Sequence, residues 1–276
     1  LTHRACIDVA QGDMGFDGYT DDGEILSYLP MAWVGDHLFS YAQSIVTGYT
    51  VNCPESSETV MTDLREIGPT YYFAPPSVFE NLLTQVTIRM EDASKLKKWL
   101  YKTFMAVAQK SGLDIIDGRA VSIKNRILYS LGNICIYAPL RNNLGMSRIK
   151  VAYTGGAAIG PDLYRFYRSI GINLKQLYGQ TETLAYVCKQ PNGEERLDSV
   201  GTPMHGMDIK VGDKGKILVK SPGLLKEYYK NPKATEESIT GDGYFRTGDA
   251  GFIDQDGHLK NIDRAQDVGT LNDGTM

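Results

Sequence analysis

Apolar residues fall in short clusters, and their spacing changes along the chain. Between Ser94 and Lys110, Leu96, Leu100, Phe104 and Val107 recur at steps of four, four and three, with Lys95, Lys97, Lys98 and Lys102 between them. That period predicts an amphipathic helix with a packed apolar stripe and a solvated basic face. The same basic face could instead contact an anionic membrane surface or a coenzyme. Helical spacing also covers Ser57 to Gly68 and Phe79 to Arg89, and a helix opening at Pro161 and running to about Ile170 has Gly171 to cap it. Glu24 to Cys53, broken by Gly35 and Gly48, suits a buried helix feeding a short parallel strand.

Strand patterns separate these helices. Thr70 to Ala74 is aromatic and β-favouring and is stopped by Pro75-Pro76, while Arg148 to Thr154 and Ile172 to Leu177 are further apolar runs of strand length. Strand, helix and strand repeat with crossovers long enough for parallel pairing, which predicts an α/β fold with parallel-rich sheets. After Pro203 the period becomes two. Ile209, Val211, Ile217 and Val219 alternate around Gly212-Asp213-Lys214-Gly215, and a second hairpin spans Gly251 to Ile262. The expected organisation is an α/β part over 1–202, a β-rich subdomain over 203–262 and a hinge over 263–276.

Composition narrows the class. Of the 276 residues 42% are hydrophobic and 22% charged, so fibrous, low-complexity and coiled-coil classes are excluded. The net charge is −4 with scattered basic residues, which argues against nucleic acid as the main partner. No run approaches the length of a membrane-spanning helix. Cys6, Cys53, Cys135 and Cys188 form no C-x-x-C pair, so a reduced, cytoplasmic setting is expected, with peripheral membrane association through the 94–110 helix the one variation. Leu1 at the start and the polar Asn272-Asp273-Gly274-Thr275-Met276 at the end read as cut ends of a longer chain.

Two clusters carry candidate chemistry. Tyr178-Gly179-Gln180-Thr181-Glu182 comes directly after a predicted strand, where open α/β sheets bind ligands. A tyrosine can stack on a purine, glycine permits close backbone approach, threonine can bond a phosphate oxygen and glutamate can hold magnesium. The same five residues could equally be a turn opening a helix with Thr181 as its cap. Downstream, Asp249 in Thr247-Gly248-Asp249 could accept both ribose hydroxyls, and Arg264 could bond ribose or phosphate through its planar fork. A turn aspartate and a surface ion pair are the plainer readings of these two. A dehydrogenase reading of Tyr229 and Lys233 fails because Pro232 interrupts the helix that would align them. His205 and His258 read as ordinary loop and strand residues.

In order and spacing, Gly155-Gly156-Ala157-Ala158, Tyr178-Gly179-Gln180-Thr181-Glu182, Thr247-Gly248-Asp249 and Asp263-Arg264 resemble the adenylate-forming superfamily along the whole chain. Within it, Ala152-Tyr153-Thr154-Gly155-Gly156 and Glu227-Tyr228-Tyr229-Lys230-Asn231-Pro232 are most similar to long-chain acyl-coenzyme A synthetases. The resemblance implies the large domain of such an enzyme, with ATP, magnesium and coenzyme A as its cofactor and co-substrates and a long-chain fatty acid as substrate. A carboxylate attacks the ATP α-phosphate to give acyl-adenylate and pyrophosphate, and the coenzyme A thiol then takes the acyl group. By the same resemblance Gly155, Gly156 and Ala157 line the adenine side and Tyr178 stacks on the base beside Gly179. Thr181 touches phosphate, Glu182 holds magnesium, and Asp249 and Arg264 bind ribose.

Three departures qualify that likeness. The glycine-rich phosphate loop is absent, and Leu1-Thr2-His3 reads like the segment immediately downstream of that loop. The small lysine-bearing carboxyl-terminal domain is also absent, so the chain reads as a fragment inactive by itself. Trp33 stands where many relatives carry histidine; it could line or gate the acyl tunnel, or fill the core. Two alternatives stay open: a ligase for a short or aromatic acid, and a non-catalytic nucleotide-binding module.

Overall fold

The computed structural model describes residues 1–265; of the expected 263–276 hinge, 266–276 lie outside the described residues. The helices are α1 (His3–Asp17), α2 (Val34–Asp36), α3 (Gln43–Thr47), α4 (Val60–Ile67), α5 (Pro76–Glu91), α6 (Lys95–Ile116), α7 (Ile123–Gly132), α8 (Ala138–Asn143), α9 (Pro161–Ser169) and α10 (Pro232–Ser238). A π segment, His37–Ala42, joins α2 to α3, and another, Asn133–Tyr137, joins α7 to α8. The strands are β1 (Glu24–Leu26), β2 (Thr50–Asn52), β3 (Tyr71–Phe73), β4 (Val151–Thr154), β5 (Leu174–Tyr178), β6 (Cys188–Lys189), β7 (Thr202–Pro203), β8 (Asp208–Val211), β9 (Lys216–Lys220), β10 (Phe245–Ile253) and β11 (Leu259–Arg264).

Two compact units share these elements: residues 1–21, 29–49 and 176 onward form one, and 22–28 with 50–175 form the other. They do not follow the expected partition at residue 202. The chain leaves the first unit and returns to it, and neither period nor composition records such long-range pairing.

In the second unit, β1 pairs with β2 in parallel, Glu24 opposite Thr50, and β3 pairs with β4 in parallel, Tyr71 opposite Val151. The parallel α/β pattern read from the crossovers is therefore present. All four residues of β4 are buried, as a strand covered on both faces requires. Phe79 of α5 sits edge-on between Tyr72 (6.0 Å) and Tyr167 (5.0 Å), and the Tyr167 hydroxyl donates to the Phe79 carbonyl at 2.7 Å. These rings fasten α5 and α9 to the strands.

Helix α6 corrects one expectation. Its buried residues are Met105, Ala108, Ser111 and Gly112, while Leu100, Phe104 and Val107 are only half-buried and Leu96 is 67% exposed. Small side chains decide the contact face here. A Cβ on Gly112 would lie 2.3 Å from the Ser169 carbonyl oxygen, so α6 can approach the end of α9 only at that glycine.

In the first unit, the period-two region forms the antiparallel sheet β11-β10-β9-β8, with Ile217 and Val219 buried on one face. Strand β5 continues through Gln176 to Tyr178 and pairs antiparallel with β6, which pairs with β7. Helix α1 begins with Thr2 accepting from the Ala5 amide and stops at Gly18, whose φ of +66° suits glycine. A buried polar cluster holds α1 in this unit: Lys189 donates to both Asp13 and Asp17, and Gln43 donates to Asp13.

Candidate functional site

The first unit gathers most of the candidate side chains around Asp249. Residue 249 lies in β10 opposite Arg264 in β11, so sheet register alone sets carboxylate and guanidinium side by side, 3.1 Å apart. The Tyr178 hydroxyl, at the end of β5, donates to Asp249 Oδ2 at 2.7 Å, and Gln180 Nε2 donates to the same oxygen at 2.6 Å. Gln180 also donates to the Thr247 carbonyl, and Thr247 Oγ1 accepts from the Asp249 amide. Asp249 is buried, 7% exposed, so these charge-assisted bonds act with little competition from water.

A carboxylate offers about four lone-pair directions. Three protein donors occupy three of them, which leaves one on Oδ1 for a further donor. Simultaneous capture of two hydroxyls therefore requires Arg264, whose side chain is 59% exposed, to yield its place. Tyr178 itself is buried against Val187, Cys188, Ile217, Val219 and Leu259. Burial, with the adjacent Asp249 carboxylate, pushes its phenol well above the usual range and keeps it a neutral donor.

The turn after β5 is dictated by contacts. A Cβ on Gly179 would lie 2.0 Å from the Ala185 carbonyl, so only glycine fits. Thr181 to Thr183 make one 3-10 turn, closed by the Gln180 amide donating to Thr183 Oγ1. The helix-cap reading of Thr181 is thus corrected: Gln180 and Thr183 close the turn, and Thr181 is an exposed residue.

Glu182 is half-buried, and its Oε1 accepts from the Tyr228 hydroxyl at 2.9 Å. Burial and that carboxylate raise the Tyr228 phenol to about 12. No Lys or Arg pairs with Glu182 among the described residues. A carboxylate aimed by a neutral donor and lacking a counter-charge fits a divalent cation. No three His, Cys, Asp or Glu side chains cluster as a metal cage among the described residues. Magnesium here would be held by Glu182 together with substrate oxygens, the usual arrangement for this ion.

The remaining candidates lie elsewhere. Gly155, Gly156 and Ala157 come after β4 in the second unit, at the carboxyl end of its parallel strands; Gly156 has φ +84°, and Gly156 and Ala157 are exposed. Just before them the Thr154 hydroxyl is buried without a protein partner among the described residues. An orphaned hydroxyl beside an open glycine turn fits a polar ligand, a signal the sequence did not carry. Trp33 is 50% exposed, so the core-filling reading fails; it precedes α2, and its carbonyl accepts from the Asp36 amide. Ser199, His258 and Glu194 are linked in series at 3.0 and 3.1 Å, resembling a hydrolase relay. Ser199 and His258 are 1% and 0% exposed, and Ser199 Oγ also accepts from the Gly201 amide, so this chain of bonds is a structural clamp.

The profile of the AMP-binding enzyme family matches residues 1–229. The chain belongs to that family. Among relatives of this AMP-binding chain, the long-chain-fatty-acid–CoA ligase FadD15 of Mycobacterium tuberculosis is 28% identical over 247 residues, covering 88% of this chain and 40% of FadD15. The peroxisomal long chain acyl-CoA synthetase 7 of Arabidopsis thaliana is 25% identical over 293 residues, covering 99% of this chain and 40% of that protein. A long-chain-fatty-acid–CoA ligase from Archaeoglobus fulgidus, FadD1, superposes with a TM-score of 0.66 at 21% identity over 96% of this chain and 48% of its own, a likeness of fold. The chain therefore spans less than half the length of these relatives.

Proposed function

We propose that this chain supplies part of the adenylation site of a ligase that activates a long-chain fatty acid with ATP and transfers the acyl group to coenzyme A. The observation that carries the reading is the Asp249 node. Tyr178 and Gln180 from one segment and Arg264 from another converge on one buried carboxylate beside a turn bearing Thr181 and Glu182. Fatty-acid–CoA ligases among the relatives supply the acid class.

Each residue has a defined task. Asp249, held by its three donors, presents its remaining lone pair to a ribose hydroxyl, with Arg264 beside it as an exchangeable donor. Thr181 offers its hydroxyl to a phosphate oxygen, and Gly179 keeps the turn close-packed. Tyr228 fixes the Glu182 carboxylate, which binds magnesium and does not act as a base. Bound magnesium would neutralise phosphate charge as the carboxylate of the acid approaches. Tyr178, whose ring is buried in the core of the first unit, fixes Asp249 through its hydroxyl and does not stack on the base, and Trp33 would border the acyl path.

The test is acid-dependent ATP–pyrophosphate exchange by the protein extended through both flanks, with acids from acetate to palmitate and with benzoate. Strong exchange with palmitate and little with acetate or benzoate is expected. A preference for short or aromatic acids would overturn the long-chain assignment. No exchange with any acid would overturn the catalytic one.

A further inference from the structure

The α6–α7 hairpin of the second unit turns an apolar stripe outward. Ile123, Ile127 and Leu131 of α7, and Ile134 in the π segment after it, recur at steps of four, four and three and are 80, 57, 48 and 72% exposed. The opposite side of α7 is the packed one: Gly132 is buried, and Asn125 and Tyr129 are half-buried. By helix geometry, Lys124 and Arg126, both exposed, flank the stripe on its two sides. At the start of α6, Leu96 and Trp99 are 67 and 62% exposed, with Lys95 one turn before Trp99 and Lys102 one turn after it. Lys97 and Tyr101 line one cavity with Cys135 and Ile136, so the first turns of α6 lie beside the π segment and Ile134.

Charge separates this hairpin from the rest of the chain. Residues 95–134 contain eight Lys or Arg and two Asp, in a protein whose net charge is −4. Both acids are already paired, Asp114 with Arg119 at 3.4 Å and Asp117 with Arg119 at 3.3 Å and with Arg168. None of Lys95, Lys97, Lys98, Lys102, Lys124 and Arg126 has an acidic partner within ion-pair distance among the described residues.

We propose that the α6–α7 hairpin is a docking surface for an anionic phospholipid bilayer. At a bilayer surface hydrocarbon lies directly beneath phosphate. An isoleucine stripe with cations on both sides, and a tryptophan between lysines, match that layering. A second copy of this chain fits less well, because it would bring two strongly cationic faces together. The inference stands apart from the adenylation reading, since it uses none of the residues assigned to that site.

The experiment is co-sedimentation of the purified protein with phosphatidylglycerol or phosphatidylcholine vesicles at low and high salt, with Trp emission recorded in parallel. Binding to phosphatidylglycerol alone is expected, weakened by salt, with a blue shift that Trp99→Phe removes. Ile123→Ser with Ile127→Ser should weaken binding at least about tenfold, because interfacial affinity scales with buried apolar area. Lys95→Glu with Lys98→Glu and Lys102→Glu should abolish it, and this second variant keeps the test decisive should the first fail to fold. Absence of binding, equal binding to both lipids, or unchanged binding by well-folded variants overturns the proposal. So does a change of oligomeric state in the isoleucine variant, which would assign the stripe to a second copy.

Discussion

Glu182 and Asp249 are both carboxylates near one turn, yet their surroundings give them different chemistry. Among the described residues Glu182 has one neutral donor and no counter-cation, so Glu182→Ala should lower pyrophosphate exchange by about two or more orders of magnitude, the usual loss for a main charge-stabilising element. Unchanged exchange would remove it from the site. Asp249 is saturated nearly to capacity, and Tyr178→Phe withdraws one buried donor. That variant should lose about 1–3 kcal/mol in a urea melt and raise the KM for ATP more than it lowers kcat. A large fall in kcat at constant KM would contradict a positioning role. The motifs placed these residues in the sequence, but their partners were not legible there. Tyr228 meets Glu182 across 46 positions and Gln180 meets Asp249 across 69. No local pattern encodes such distances, and the orphaned hydroxyl of Thr154 is visible only once its surroundings are packed.

Helices and strands were legible where periodicity was strong. The hairpin around Gly212–Gly215, the strand before Pro75 and the helix opened by Pro161 all form, because alternation, turn chemistry and proline each act locally. Helix α6 was legible as an element but not in its orientation. Its apolar stripe pointed to Leu96, whereas Gly112 and Ala108 set the packed face by allowing backbone contact. Gly112→Ala should therefore be destabilising, by about 1–3 kcal/mol as for other overpacked sites, read as a lower Tm. A variant as stable as the parent would show that α6 and α9 are not in close contact. Helix α1 was not legible because its buried positions include Asp13, a charged residue that interrupts the apolar spacing.

Asp13 also matters for the molecule as a whole. It is fully buried beside Asp17 and Lys189, and desolvation, opposed by Lys189, raises its carboxyl to about 6. A folded-state value above the unfolded one near 3.8 means that the native state binds the extra proton between those limits. The stability that Asp13 contributes is then greatest below about pH 4 and declines as pH rises through 6. Asp13→Asn lacks that decline, so its stability relative to the parent should increase between pH 4 and 7 in urea titrations. A constant difference across that range would show that Asp13 is ionised throughout. The same lysine governs the order in which the protein can be completed. Asp13 precedes Lys189 by 176 residues and Asp17 precedes it by 172. On the ribosome both acids emerge long before the cation that neutralises them, while every residue of the 22–28 and 50–175 unit has already been translated. That unit can close during synthesis, whereas the Asp13 and Asp17 carboxylates stay without their cation until β6 arrives.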